Sequence, residues 1–256
     1  MPAATDRMPA LKHFLLLVVA LLGTRALFIH PARAETPATQ VLATEILPNG
    51  TEIADLAQIK LLKDLTPRLQ RYTAIERRGI YLAIAVERRL LSTAEATDLL
   101  STLGAVEGFD RAARHLCGYG SPARDGALFE LRTGRAFAEA GARLVEIRRP
   151  FKDDPAKRLT DIDLVIEFPP RTLIGIECKS GTAPTDSVNA DAVTLQHFMA
   201  KNPGSRAAFA FSSGPGALSQ KLLTLKGIGI LVGLPAEQAK ALTNFAIIPS
   251  PAKTEP

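Results

Sequence analysis

The sequence predicts an α/β protein with a mixed β-sheet and an α-β-β-β-α-β core, preceded by an α-helical subdomain. Two observations lead to this prediction: short runs rich in β-branched residues, and longer stretches with apolar residues at helical spacing. The predicted strands are 143–148, 160–167, 174–179, 206–211 and 228–232. The predicted helices of the core are 124–140, 191–200, 217–226 and 235–242. Consecutive strands followed by helical crossovers give a mixed sheet with helices on both faces.

Capping and breaker residues set the predicted helix starts and domain limits. Pro67 is predicted to open the second helix of the subdomain, because a proline loses no hydrogen bond in the first helical position. Ser92 with Glu95 three residues later forms a capping-box pattern, which predicts a third helix through Leu103. The predicted divisions are residues 51–117 for the helical subdomain, 118–248 for the core domain and 249–256 for a flexible tail.

The N-terminal segment has the pattern of a secretory signal peptide over residues 1–34. Basic Arg7 and Lys12 precede a short apolar run, and Ala32-Arg33-Ala34 forms a small-residue cleavage pattern before Glu35. The run is short for a bilayer span, so a cleaved signal is favoured over an uncleaved anchor. The mature protein is therefore expected to be secreted or periplasmic, with a linker over 35–50 and no stable membrane span.

The amino-acid composition excludes few functions. The chain has 256 residues, of which 46% are hydrophobic, so it is globular. Its formal charge is +5, but residues 1–34 carry +3 of it, so charge is a weak indicator of nucleic-acid binding. The sequence contains no tryptophan, and stacking on bases is not indicated. No H-x-x-x-H or C-x-x-C spacing occurs, so a zinc site is not predicted.

The two cysteines, Cys117 and Cys178, leave two alternatives open. In an oxidising compartment they could form a disulfide. Cys178, however, falls in a predicted central strand, where a small buried thiol is the ordinary expectation.

Charged residues interrupt the two central predicted strands and point to a site. Glu177 and Lys179 are two residues apart and share one face of their strand, and Asp163 lies in the middle of the preceding strand. If these strands pair as a hairpin, the two carboxylates approach each other. Like charges at short range in a low dielectric are costly, so a positive group must lie between them. Lys179 supplies one charge, and Mg²⁺, which prefers oxygen ligands, would supply the rest.

The order Asp163 followed by Glu177-Cys178-Lys179 resembles the PD-(D/E)XK nuclease superfamily of restriction endonucleases and Holliday-junction resolvases. The resemblance covers about 123–233, with Ile162 in place of the usual proline. It implies a restriction endonuclease-like fold with a catalytic Glu on the preceding helix, matched by Glu130.

The same resemblance implies further roles in catalysis. A catalytic glutamine on the following helix is matched by Gln196. Mg²⁺ or Mn²⁺ would be held by Asp163, Glu177 and Glu130, with Lys179 orienting the attacking water, and cleavage would leave a 5′-phosphate. Rivals among the residues themselves are Asp161 on the same strand face as Asp163, and Glu139 on the helix of Glu130.

Basic residues cluster around the entry to the central strands and are candidates for nucleic-acid binding. They are Arg148, Arg149, Lys152, Lys157 and Arg158. Lys and Arg neutralise backbone phosphates without reading base sequence. A solvated hairpin tip is the alternative explanation.

The sequence therefore predicts an exported metal-dependent nuclease, a toxin or a scavenging enzyme, that acts on nucleic acid, with DNA expected ahead of RNA. A homodimer is compatible with this prediction. The alternative is a catalytically inactive exported interaction protein on the same fold, since nucleic acid is scarce outside the cytoplasm.

Overall fold

In the computed structural model of the chain, the described residues are 50–118, 120–152, 160–168 and 171–233. They all fall within one compact unit, Leu42–Pro256. The predicted signal peptide, almost all of the predicted linker, the helix at 235–242 and the tail at 249–256 lie outside the described residues. No helix within the described ranges is long and apolar enough to cross a membrane.

The described residues form an α/β structure with a five-stranded mixed sheet, as the sequence predicts. The helices are α1 (Gly50–Ala57), α2 (Leu62–Leu69), α3 (Ala74–Glu87), α4 (Thr93–Leu103), α5 (Phe109–Leu116), α6 (Ser121–Glu139), α7 (Thr185–Lys201) and α8 (Ala217–Leu225). The strands are β1 (Arg143–Phe151), β2 (Thr160–Phe168), β3 (Thr172–Lys179), β4 (Arg206–Phe211) and β5 (Gly229–Val232). Their order in the sheet is β1-β2-β3-β4-β5. The first two pairings are antiparallel and the last two are parallel.

Local capping chemistry places the helix starts. Thr73 caps α3 in a full capping box with Glu76. Ser92 caps α4 by accepting the backbone N–H of Glu95, which is one half of the predicted capping box, while the carboxylate of Glu95 pairs with Arg132. The predicted role of Pro67 is wrong, because it lies inside α2, near the end of that short helix, where only one backbone bond is lost.

Two hydrophobic clusters cover the two faces of the sheet. Alternation along β2 shows this directly, since Leu164 and Ile166 join the cluster beneath the helices α1–α6, while Val165 joins the other. That second cluster contains Leu195 and Phe198 of α7 and packs at Gly175 of β3. The helical segment and the sheet thus share one continuous core, and the predicted division at residue 117 stays a prediction.

Both cysteines are free and buried. Cys117 follows α5, and Cys178 lies in β3. Burial raises the pKa of the Cys117 thiol to about 12, so this thiol stays protonated at neutral pH.

The junction between α5 and β1 attaches the helical layer to the edge strand of the sheet. The carbonyl of Glu107 accepts the N–H of Ile147 at 2.8 Å. Gly108 then turns the chain into α5 with φ +82°, and a Cβ at this position would lie 1.7 Å from the carbonyl oxygen of Ile147. Only glycine fits both the left-handed conformation and the close approach of the two backbones.

Gly108→Ala is expected to lower the free energy of unfolding by about 2–4 kcal/mol, because it adds strain at positive φ and a backbone clash. The matched control is Gly126→Ala in α6, where an added Cβ meets nothing within 4 Å. That change should raise stability by about 0.5–1 kcal/mol, since alanine is the better helix former. Urea denaturation followed by circular dichroism measures both changes, and equal effects of the two substitutions would contradict this assignment.

Candidate active site

An acidic cleft of about 490 Å³ lies where β2 and β3 stop pairing. The antiparallel ladder between these strands ends at the pair Leu164–Ile176. The next residue on each strand is a carboxylate, Asp163 on β2 and Glu177 on β3, and both line the cleft. The hairpin pairing that the sequence predicts therefore does bring these two residues together.

Where the β2–β3 ladder ends, the side chain of Asp163 accepts a backbone N–H of β3 that no backbone carbonyl of β2 accepts. Its Oδ2 accepts the backbone N–H of Cys178 at 2.8 Å, which fixes the orientation of the carboxylate. Burial raises the pKa of Asp163 to about 6, and the hydrogen bond from Cys178 together with the charges of Arg148 and Lys179 opposes that rise. Asp163 also raises the pKa of Glu130 and of Glu177, so it is the electrostatic centre of the acidic group.

Glu177 is the unpartnered carboxylate of the cleft. The residue is only 4% exposed. No hydrogen bond or ion pair to its carboxylate is found among the described residues. Burial, followed by the charges of Asp163 and Asp191, raises the pKa of Glu177 well above its ordinary value, and Lys179 opposes the rise. A buried carboxylate without a partner is costly, so this group is poised to take up a cation or a proton.

Lys179 shares its strand face with Glu177, as predicted, but its ammonium group is paired elsewhere. Its Nζ lies 2.5 Å from Oδ2 of Asp191 on α7. Burial lowers the pKa of Lys179, but the hydrogen bond and charge of Asp191 outweigh burial, so that the pKa is raised overall. Lys179 is therefore held as a cation at the end of β3.

Asp191 is the residue of the cleft that the sequence prediction missed. The helix was predicted to begin at Asp191, with a loop over 184–189, whereas α7 begins at Thr185. Asp191 is thus an interior helical residue whose side chain faces β3. Its position one turn before the buried Leu195 could have indicated a face turned to the sheet.

Glu130 reaches the cleft from α6 and is bound by an arginine of β1. It is 1% exposed. The Nε of Arg148 lies 3.2 Å and 3.0 Å from its two carboxylate oxygens. Burial, and then the charge of Asp163, raise the pKa of Glu130 well above its usual range, with Arg148 opposing. Arg148 holds this position with φ +51°, a conformation rare for a non-glycine residue and typical of sites under functional constraint.

Among the described residues, the cleft carries more negative than positive groups. Its lining includes two cations, Arg148 and Lys179, and five carboxylates: Glu130, Asp161, Asp163, Glu177 and Asp191. Asp161 is half exposed and lies 3.7 Å from Arg148, so this rival of Asp163 stands at the rim. Within the described ranges, no three Asp, Glu, His or Cys side chains converge as a ready-made metal site.

The remaining predicted site residues are placed as follows. Gln196 lies on α7 outside the lining of the cleft, and its Oε1 accepts a hydrogen bond from Lys226 at 2.8 Å. Arg149 lies 3.7 Å from Glu146 on its own strand. Lys152 is exposed at the end of β1, while Lys157 and Arg158 lie outside the described residues. Glu139, the rival on α6, is exposed and ion-paired with Arg135 at 3.3 Å. Of the three predicted basic residues that the structure describes, Arg148 alone lines the cleft.

No protein-family model matches the chain, and no curated protein matches it. Among solved structures, the crystal structure of protein VC1899 from Vibrio cholerae aligns with TM-score 0.34 and 13% identity, covering 81% of this chain and 53% of that protein. The chain thus spans about half the length of that protein. A similarity of this size carries no argument about fold or activity.

Proposed function

We propose that the protein is a metal-dependent nuclease that hydrolyses phosphodiester bonds of nucleic acid, on a restriction endonuclease-like core. The observation that carries the proposal is the meeting of Asp163, Glu177 and Lys179 in one cleft at the end of the β2–β3 ladder. The element order α6-β1-β2-β3-α7-β4 supports it, since it repeats the α-β-β-β-α-β order expected from the sequence resemblance.

The donor set suits a hard divalent cation such as Mg²⁺ or Mn²⁺. Asp163 and Glu177 offer carboxylate oxygens, the ligands these ions prefer. The unpartnered state of Glu177 and the excess of carboxylates over cations give a physical reason for a cation to bind here. Such an ion would polarise the scissile phosphate and activate a water molecule. Glu130 is the third proposed ligand, and to bind the ion it must exchange its present bond with Arg148.

The chain's own residues supply the remaining functions. Lys179 offers three N–H donors, of which Asp191 takes one, so the ammonium can also donate to a water or to a phosphate oxygen. It stabilises the negative charge that develops on that oxygen. Arg148, fixed between Glu130 and Asp161, presents a second cation to a phosphate entering the cleft. Asp163, fixed by the N–H of Cys178, holds its carboxylate in one orientation.

We further propose that the enzyme acts outside the cytoplasm, as a toxin or a scavenging enzyme, on DNA ahead of RNA. The N-terminal signal-peptide pattern supports export. A homodimer is compatible with this proposal.

A second candidate is an exported interaction protein that keeps this fold without catalysis. It is favoured by the lack of three converged ligands among the residues that the structure describes, and by the engagement of Lys179 with Asp191 and of Glu130 with Arg148. The two candidates differ in whether magnesium gives any cleavage at all.

The test is incubation of the purified chain with end-labelled single- and double-stranded DNA and with RNA, in Mg²⁺, Mn²⁺ or chelator. Cleavage is expected with either metal and not with chelator, and the products should carry 5′-phosphates. The control is Asp163→Asn from the same purification, which keeps an acceptor oxygen for the N–H of Cys178 but removes the charge. No cleavage of any substrate in either metal, or equal cleavage by the variant, would reject the enzyme in favour of the interaction protein.

A further inference from the structure

A second concave site, separate from the acidic cleft, lies among α2, α3 and α5. Its volume is about 320 Å³. Helix α3 contributes Arg77 and Tyr81, and α5 contributes Asp110, Arg111 and Arg114. None of these residues lines the acidic cleft. The two concave sites therefore have opposite chemistry, one rich in carboxylates and the other in guanidinium groups.

The pocket has an excess of positive charge that its neighbours do not cancel. Arg111 is paired with Glu146 of β1, Nη2 lying 2.8 Å from Oε1. Arg77 donates to a backbone carbonyl at 2.5 Å, and Arg114 has no hydrogen bond or ion pair through its side chain within the described ranges. Asp110 is the single carboxylate among the described residues of the lining. If Glu146 neutralises Arg111, the guanidinium groups of Arg77 and Arg114 still face only the carboxylate of Asp110 among the described residues of the lining.

Two donors of the pocket residues have no acceptor among the described residues. Tyr81 is 5% exposed as a residue and lines the pocket, and a tyrosine hydroxyl group usually has a hydrogen-bond partner. Its hydroxyl group has none in the described part of the chain. Tyr81 lines the pocket together with Arg77 and Arg114. Burial and then the charge of Cys117 raise the pKa of Tyr81, and the charges of Arg114 and Arg77 oppose the rise. The Nε of Arg111 is also buried without a partner.

We propose that this pocket binds the phosphate group of a nucleotide or of a nucleic-acid backbone. A phosphate brings only acceptor oxygens, which the unpartnered hydroxyl of Tyr81 and the guanidinium groups of Arg77 and Arg114 can satisfy together. Guanidinium groups match the geometry of phosphate oxygens in two-bond contacts. The pocket has the volume of about ten water molecules at ~30 Å³ each, so a sugar attached to the phosphate also fits.

The experiment is a binding titration of the full chain by calorimetry in low salt with chelator, so that no cleavage takes place. The probes are inorganic phosphate, a nucleoside monophosphate, a short single-stranded oligonucleotide and acetate. Arg114→Gln should weaken phosphate binding by about tenfold, and Tyr81→Phe, which removes only the hydroxyl group, by about threefold. The matched control is Lys221→Gln, which removes one exposed cation from α8 on the far side of the sheet.

The probes separate the two sources of phosphate. Binding of inorganic phosphate or the monophosphate with the expected loss in both variants supports a free-nucleotide site. Binding of the oligonucleotide alone with the same losses supports a backbone site. Equal binding of acetate and phosphate, equal losses in Arg114→Gln and Lys221→Gln, or no binding of any phosphate probe overturns the proposal. None of these outcomes depends on nuclease activity, which is tested separately in the acidic cleft.

Discussion

Lys179→Ala is expected to reduce metal-dependent cleavage by about 10²–10⁴-fold, because the charge developing on the phosphate oxygen loses its ammonium partner. The fold should survive the substitution. Lys179 lies at the end of β3 and lines the open cleft, so water can fill the space that alanine leaves. Asp191 loses its partner, but its own side chain is 31% exposed and water can hydrate it. The loss should therefore appear as a lower kcat in a protein that still folds. Its thermal stability at neutral pH should fall somewhat, because the charge of Lys179 no longer compensates the buried Asp163 and Glu177.

The control for Lys179 uses the partner that holds it. Asp191→Asn keeps a hydrogen-bond acceptor beside Nζ but removes the charge, so it should lower activity by only about tenfold. Lys221→Ala on α8 removes an exposed lysine outside the cleft and should leave cleavage unchanged. Single-turnover cleavage of labelled DNA measures all three variants. Activity of Lys179→Ala within twofold of the parent protein would show that the ammonium group takes no part in the reaction.

Most helices and strands of the described residues could be predicted from the sequence, because each has a clear apolar pattern and residues that typically begin or end it. β2 and β3 are short apolar runs with turn residues on both sides, and the ends of α4 and α6 carry recognisable caps and stops. Periodicity alone could not place the start of α7. The residues of 185–190 are polar on their exposed face, and the buried Val188 is a single apolar signal among them. For this reason the predicted start of α7, Asp191, lies about one and a half turns after its observed start, Thr185.

Less of the site than of the fold could be predicted from the sequence, because the ion pairs of the site join residues that are far apart along the chain. The alternation of β3 correctly places Glu177 and Lys179 on one face, since side-chain direction in a strand is a local property. The partners of Lys179 and Glu130 come from α7 and β1, and no spacing along the chain encodes them. Gln196 shows the same limit. It lies five residues after Asp191 on one helix, and that interval directs its side chain towards Lys226 instead of the cleft.

Glu177→Gln is expected to stabilise the metal-free protein while abolishing its response to Mg²⁺. The carboxylate is buried without a partner, so its charge costs free energy in the folded state alone. Replacing it with a neutral amide of the same shape should raise the free energy of unfolding at pH 8 in chelator by about 1–3 kcal/mol. The control is Glu139→Gln on α6, where the side chain is half exposed and the change should be within about 0.5 kcal/mol.

The pH dependence of stability tests independently whether the buried charge of Glu177 destabilises the folded protein. Burial raises the pKa of Asp163 in the folded protein from 3.8 to about 6, and it also raises the pKa of Glu177. For each residue, the folded protein therefore binds more protons than the unfolded chain at any pH between the unfolded-state and the folded-state pKa of that residue. Stability of the metal-free protein should therefore fall as the pH rises through that window. Asp163 is expected to remove roughly 1–3 kcal/mol once the pH exceeds about 6, and Glu177 adds to the loss in the same direction. The advantage of Glu177→Gln should accordingly grow as the pH rises from 4 to 8.

Magnesium should reverse the order of the two proteins at pH 8. A ligand that binds the folded state alone raises its stability with concentration, so millimolar Mg²⁺ should raise the melting temperature of the parent protein. Glu177→Gln offers one ligand fewer and removes the charge that attracts the ion, and its melting temperature should not respond. Such a reversal would mean that Glu177 lowers the stability of the metal-free protein and is needed to bind the ion. A lower stability of Glu177→Gln in chelator at pH 8 would mean instead that Glu177 has a structural partner, and the argument for a cation site in this cleft would lose its main support.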